Sequence, residues 1–167
     1  AERAAEAGAR VVVLGRRSSS HLRERAFHGT GSVRHVPADL SSMKEAARIA
    51  TELSRQERFS YVIYTVGIIA PPKREETPEG IEIDLAVSYL LRLVFSAHAL
   101  PKLWPISPQR HPRVFVMGFP GHSNQLDLDV ANLNSDVKPY SAWGAHEFTI
   151  AGNEALVKHL AAKFEHR

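Results

Sequence analysis

The chain has 167 residues, 44% of them hydrophobic, which suits one domain with a buried core. It contains no cysteine, so disulfides and thiolate metal sites are excluded. No apolar run approaches the roughly 18 residues of a membrane span, and the net charge of +3 is scattered rather than clustered. We therefore expect a cytoplasmic protein with no membrane or nucleic-acid partner.

The first forty residues predict strands alternating with helices. Ala1–Ala7 favours a helix because it consists mostly of alanine and glutamate. Arg10–Leu14 is a short apolar strand, and Val33–Val36 is a weaker one because two polar residues interrupt it. Between these strands, a serine cap predicts a short helix over Ser20–Ala26.

The most apolar strand is predicted over Phe59–Gly67. Its sequence, FSYVIYTVG, lacks clean alternation, which is typical of a strand buried on both faces of a parallel sheet. We therefore expect this strand at the centre of the sheet, with any binding chemistry at its carboxyl end.

Three helices and one more strand complete the pattern. Apolar periodicity predicts helices over Met43–Arg58, Ile81–Leu103 and Ala145–Phe164. Arg113–Gly118 predicts another buried strand. Four polar residues interrupt the second of these helices, as in a soluble helix: Ser88, Arg92, Ser96 and His98. Strands that alternate with helices predict an α/β, doubly wound parallel sheet.

The order and spacing of these pieces resemble the short-chain dehydrogenase/reductase family, which has an NAD(P)-binding Rossmann-type fold. The matching segments cover nearly the whole chain: AERAAEAGARVVVLGRR, ADLSS, YTVGI, EGIEIDLAVSYLLRLVFSAHALPKL, PRVFVMGF and AGNEALVKHLAAKF. The resemblance implies one partial domain over residues 1–167. That domain would lack the family's first strand, with its Gly-rich turn, and the last strands.

The resemblance also implies a dinucleotide site. The residues at one end of this site favour NADP(H) over NAD(H). Arg16 and Arg17 follow the strand where an acidic residue would accept the ribose hydroxyl of NAD, whereas arginine neutralises a 2′-phosphate. Asp39 and Leu40 match the position that contacts the adenine ring. The alternatives are a solvated basic loop for the arginines and a helix N-terminal role for Asp39.

At the end of the central strand, Val66 and Gly67 are the remaining candidates for cofactor contact. Gly67 keeps a close backbone approach, as in the family's Asn-Asn-Ala-Gly turn. The two asparagines are replaced by Tyr64 and Thr65, so contact here would come from the backbone alone.

The family's catalytic residues are a Tyr and a Lys in a Tyr-x-x-x-Lys motif, a Ser and a helix Asn. That motif is absent from this chain. Alignment of the last helix puts His146 at the Tyr position and Ile150 at the Lys position, and the helix Asn falls on Ser88. Histidine transfers protons near neutral pH, so His146 is the candidate acid. The alternative is that His146 has no catalytic role and only caps or borders the final helix.

Three hypotheses follow for function. The first is a short-chain dehydrogenase/reductase-like oxidoreductase acting on a carbonyl or alcohol substrate with NADP(H) or NAD(H). The second is a non-catalytic pseudo-enzyme that keeps the fold as a binding or scaffold module. A third is proton-transfer chemistry of another type on the same fold. The histidine spacing suggests no metal site. By resemblance, a homo-oligomer could form through the helices at 81–103 and 145–164.

Overall fold

The structure, a computed structural model, describes residues 1–16, 25–26, 31–103, 111–118 and 129–164. The chain divides into two compact units, Ala1–Leu40 and Ser41–Arg167. Most of the predicted helix over Ser20–Ala26 lies outside the described residues. Its last two residues form a short strand instead, so the prediction of a helix there was wrong.

The first unit is a three-stranded sheet with one short helix. Its elements are α1 (Glu2–Glu6), β1 (Arg10–Gly15), β2 (Arg25–Ala26) and β3 (Ser32–Pro37). The strand order is β1-β3-β2, with β1 parallel and β2 antiparallel to β3. A Cβ on Gly31 would lie 1.8 Å from the carbonyl oxygen of Ala5, so only glycine allows the chain entering β3 to pass α1 this closely.

The second unit contains a two-stranded sheet and the longer helices. Its regular elements are α2 (Met43–Gln56), β4 (Tyr61–Tyr64), a π-helical turn (Leu85–Leu90), α3 (Leu91–Ala99), a 3-10 turn (Leu100–Lys102), β5 (Arg113–Val116), a second 3-10 turn (Val130–Asn132) and α4 (Ala142–Phe164). Strands β4 and β5 are parallel, with Ile63 opposite Phe115. The predicted α/β class with parallel strands is confirmed.

Helix α2 begins where the sequence predicts. The hydroxyl of Ser42 accepts a hydrogen bond from the amide of Glu45 at 3.2 Å, which caps the helix. The Glu79 carboxylate accepts from the amides of Met43 and Lys44, and these backbone hydrogen bonds lower the pKa of Glu79. A negative charge at this end of a helix also complements the helix dipole.

Strand β4 differs from the prediction in length and burial. It is limited to four residues, and Tyr61 and Ile63 are 48% and 59% exposed. Tyr64, by contrast, is only 6% exposed. The expectation of burial on both faces was therefore wrong. Among the described residues β4 pairs only with β5, so it lies at the edge of a two-stranded sheet.

The buried side of α3 carries polar as well as apolar residues. Arg92 and Ser96 are buried, together with Leu91 and Phe95, whereas Leu93 is 37% exposed. Arg92 and Ser96, which are residue types typical of the solvent-facing side of a helix, are therefore buried here.

Helix α4 packs against the π-helical turn through a close approach at Gly152. A Cβ there would lie 2.8 Å from the ring of Tyr89, so the absence of a side chain allows the contact. The inward face of α4 brings His146, Thr149 and Asn153 into the interior. No helix among the described residues is both long enough and apolar enough to cross a membrane.

Candidate active site

A cavity of about 800 Å³ lies at the carboxyl ends of β4 and β5. Parallel strands bring these ends to the same edge of the sheet, and in open α/β sheets ligands bind at that edge. The π-helical turn, α3 and α4 supply the other walls. The residues used below that line it are Gly67, Ser88, Arg92, His146, Ile150 and Asn153.

His146 and Asp84 form a buried hydrogen-bonded pair at this cavity. Nδ1 of His146 lies 2.8 Å from Oδ2 of Asp84, which has no exposed surface. The same Asp84 oxygen accepts from the amide of Ala70 at 3.1 Å. An ionised carboxylate only accepts hydrogen bonds, so the network assigns the Nδ1 proton to His146. In this tautomer Nε2 of neutral His146 carries no proton and is a hydrogen-bond acceptor.

Ser88 ties the chain after β4 to the π-helical turn. Its hydroxyl accepts from the amide of Ile68 at 3.0 Å and contacts the Asp84 carboxylate. Ser88 is only 4% exposed. With its hydroxyl engaged on both sides, Ser88 positions Asp84 and the Ile68 segment, and is poorly placed to hold a substrate.

Asn153 joins α4 to the same turn. Its side-chain amide donates to the carbonyl of Ser88 at 2.9 Å and to the carbonyl of Thr149 at 2.6 Å. In a π-helix the hydrogen bonds run to i+5 rather than i+4, and such turns are frequent at functional sites. Asn153 therefore connects the backbone at Ser88 directly to the helix that carries His146.

Arg92 places a positive charge in the wall of the cavity. Its Nη2 donates to the carbonyl of Val66 at 2.7 Å, and the residue is 4% exposed. Burial lowers the pKa of Arg92, while the nearby Tyr64 and Asp84 act in the opposite direction. The guanidinium stays charged at neutral pH because the ordinary pKa of arginine lies far above 7.

Tyr64, which the sequence resemblance places at the first asparagine of the family turn, is buried against α3. Its hydroxyl lies 2.8 Å from Oγ of Ser96, and its ring meets Phe95 edge to face. Burial raises the pKa of Tyr64 to about 12, although the hydrogen bond with Ser96 and the charge of Arg92 oppose this shift. Tyr64 is a buried structural residue.

Three of the four predicted site residues of the second unit share this cavity. His146, Ser88 and Gly67 line it, whereas Val66 does not line it and accepts a hydrogen bond from Arg92 through its carbonyl. Ile150, at the family's Lys position, also lines the cavity and is 6% exposed. The wall at that position is therefore apolar.

The remaining predicted cofactor residues belong to the first unit. Arg16 follows β1 and Asp39 follows β3, and both are exposed. Because β1 and β3 are parallel, with Gly15 opposite Pro37, these two residues lie at the same edge of their sheet. Leu40 is buried. Arg17 lies outside the described residues.

Sequence reasoning missed Asp84, Arg92 and Asn153. The available signal was spacing, because Asp84, Ser88, Arg92 and Ser96 recur every four residues on one face of a helical segment. Among the described residues no cluster of three His, Asp, Glu or Cys side chains could hold a metal ion.

Comparisons with known proteins add to this geometry. No protein-family model matches the chain. It is 39% identical over 158 residues to an uncharacterized oxidoreductase of Saccharomyces cerevisiae, a match that covers 92% of this chain and 48% of that protein. The chain thus spans about half the length of this curated relative.

Two solved structures show the same fold. An uncharacterized protein of Mycobacterium paratuberculosis matches with a TM-score of 0.77 at 22% identity, over 96% of this chain and 55% of that one. A metagenomic short-chain oxidoreductase in complex with NADP matches with a TM-score of 0.64 at 16% identity, over 99% of this chain and 69% of that one. The chain therefore has the Rossmann-type fold that is also found in a short-chain oxidoreductase, as the sequence resemblance predicts.

Proposed function

We propose that the protein is an NAD(P)-dependent oxidoreductase that interconverts a carbonyl and an alcohol, with His146 as the proton donor and acceptor. The observation that carries this proposal is the 2.8 Å hydrogen bond between His146 Nδ1 and the buried Asp84 carboxylate. A carboxylate that orients an imidazole is a recurring arrangement for acid–base chemistry.

The residues around the cavity suit a bound dinucleotide. Gly67 follows a parallel strand at its carboxyl end and offers backbone without a side chain. The cavity of about 800 Å³ falls in the range of cofactor sites. Val66, Gly67 and Ile150 would form its contacts in the second unit. When bound, a nicotinamide cofactor supplies or accepts the hydride.

The chain's own residues would handle the proton. In the reductive direction, Nε2 of protonated His146 donates to the substrate oxygen as the carbonyl becomes an alcohol. Asp84 holds the imidazole through Nδ1 throughout and stabilises its positive charge before transfer. In the oxidative direction, neutral His146 takes the hydroxyl proton. Ser88 and Ala70 keep the Asp84 carboxylate in place.

A preference for NADP(H) rests on Arg16. It is exposed directly after β1, where it could neutralise a 2′-phosphate. We expect Arg16→Gln to weaken NADPH binding at least tenfold, with little effect on NADH, since one charge-assisted contact is worth roughly 1.5–3 kcal/mol.

A binding titration tests this proposal at its first step. Trp143 lies 5.9 Å from the ring of His146, so its fluorescence reports on the cavity. Replacing Trp104 with Phe leaves Trp143 as the single emitter. Saturable quenching by NADPH, weaker with NADH, supports the proposal. No response, together with no heat of binding by calorimetry, would remove it.

A non-catalytic binding module is the second candidate. The observation that favours it is Ile150, an apolar residue where the family uses a cationic lysine to position the cofactor. Under this alternative the protein binds the dinucleotide but catalyses no reaction. Substitution of His146 then has no catalytic rate to reduce.

A further inference from the structure

Arg92 carries donors that the described residues do not satisfy. Nη2 donates to Val66, but Nε and Nη1 have no hydrogen-bond partner and are shielded from water. In the described part of the chain, one other buried side-chain atom shares this condition, Oδ1 of Asn153. Both residues line the same cavity. The unsatisfied polar atoms therefore belong to two residues of the proposed site.

The cost of this arrangement is substantial. A buried donor without an acceptor costs roughly 1–3 kcal/mol, and more when the group is charged. Asp84 lies two helical turns before Arg92, but its carboxylate is engaged by His146, Ala70 and Ser88. A positive charge retained in such a position is explained if a ligand supplies the missing acceptor.

We propose that Arg92 binds an anionic oxygen group, a phosphate or a carboxylate, on the ligand that occupies this cavity. This inference deepens the proposed function and rests on it. The unsatisfied Nε and Nη1 lie on different edges of the planar guanidinium, so each can donate a hydrogen bond to an oxygen of either group. Arg92 lines the cavity, and a rotation of its side chain would bring one of these donors to the ligand.

The position of Gly67 supports this binding mode. A Cβ on Gly67 would lie 3.5 Å from Nη2 of Arg92 and 3.6 Å from Oγ of Ser88. Because position 67 is glycine, no side chain from this position lies against Nη2 of Arg92. Lys158 also lines the cavity but is exposed, so its charge is screened by water.

The anionic group has two sources, a phosphate of the dinucleotide or a carboxylate of the substrate. Calorimetric titration with NADPH, inorganic pyrophosphate and benzoate separates them. We expect Arg92→Met to weaken one probe class at least tenfold and Lys163→Met, at an exposed position of α4 outside the cavity lining, to change it less than twofold. A loss confined to NADPH and pyrophosphate assigns Arg92 to the cofactor, and a loss confined to benzoate assigns it to the substrate.

Arg92→Lys covers the case in which Arg92→Met does not fold. It keeps the charge but replaces the planar guanidinium, with its Nε and Nη1 donors, by a single ammonium group, so the affected probe should bind at least threefold more weakly. Unchanged affinities in whichever variant folds, or no binding of any probe by the unmodified protein, would overturn the inference. If NADPH still bound normally, the proposed function would survive this result. Benzoate binding that depends on Arg92, without NADPH binding, would instead overturn the proposed function alone.

Discussion

Nδ1 of His146 lies 2.8 Å from Oδ2 of Asp84, and the Asp84 side chain is entirely buried. The pair joins α4 to the helical segment that precedes α3. It holds the imidazole of His146, a residue that lines the cavity, through Nδ1 and leaves Nε2 outside this hydrogen bond. A carboxylate in this position holds an imidazole in one tautomer and orientation, which supports proton transfer by the histidine. The proposed chemistry therefore does not require the Tyr-x-x-x-Lys motif that the chain lacks.

Asp84→Asn should reduce turnover about 10²- to 10⁴-fold, the usual worth of positioned acid–base catalysis. An asparagine oxygen cannot replace a carboxylate that receives donors from His146, Ala70 and Ser88. Steady-state kinetics measure the loss, and ¹⁵N NMR of the imidazole reports whether His146 keeps its tautomer. The exposed Asp136→Asn is the control, and equal turnover in both variants would contradict the prediction.

Ser88→Ala should lower the free energy of unfolding by about 1–3 kcal/mol. The substitution leaves the amide of Ile68 without its acceptor and removes a partner of Asp84. Urea denaturation gives the value. Ser54→Ala removes only a local contact to the carbonyl of Thr51, and we expect a change within about 0.5 kcal/mol. Equal effects of the two substitutions would argue against an anchoring role for Ser88.

The free energy of unfolding should fall at alkaline pH because of the buried phenol of Tyr64. Burial raises its pKa from 10.0 to about 12. Between these values the unfolded chain loses the phenolic proton while the folded chain keeps it. The contribution is therefore fully present below pH 10 and is lost as pH rises through about 12, at a slope of up to about 1.4 kcal/mol per pH unit.

The variant Tyr64→Phe isolates this effect. It lacks the ionising group, so its free energy of unfolding should fall less steeply than that of the unmodified protein over this alkaline range. Denaturant titrations at a series of pH values provide the comparison. Parallel curves for the two proteins would show that Tyr64 ionises normally in the fold.

Gly152→Ala should destabilise the packing of α4 on the π-helical turn by about 1–3 kcal/mol, because the new Cβ would lie 2.8 Å from the ring of Tyr89. Gly144→Ala is the matched control in the same helix. Its Cβ would contact Ser141 at 3.4 Å, an ordinary distance, so the gain in helix propensity should leave stability equal or slightly higher. A thermal melt of each variant decides, and a loss at Gly144 equal to that at Gly152 would contradict the packing argument.

Apolar periodicity was sufficient to predict most of the fold. The helix over Met43–Arg58 is observed as Met43–Gln56, because its apolar stripe and its Ser42 cap are both local signals. Strand β4 shows the limit of such signals. An apolar run cannot reveal which neighbours cover its faces, and Tyr61 and Ile63 proved exposed.

The site was only half predictable. His146 and Ser88 were found by resemblance, and the structure brings both to one cavity. Asp84 and Arg92 were missed because isolated charged residues on a helix usually face solvent. Their burial depends on tertiary contacts with Ala70, Val66 and α4, which no local pattern in the sequence encodes.

The central claim is that His146 transfers the proton in a nicotinamide-dependent reaction. Its most direct test follows NADPH oxidation at 340 nm with a panel of aldehydes and ketones, for the unmodified protein and for His146→Phe. We predict turnover of at least one carbonyl compound by the unmodified protein. In His146→Phe, kcat should fall at least 100-fold while the affinity for NADPH stays within about twofold. Full turnover by His146→Phe would contradict the account.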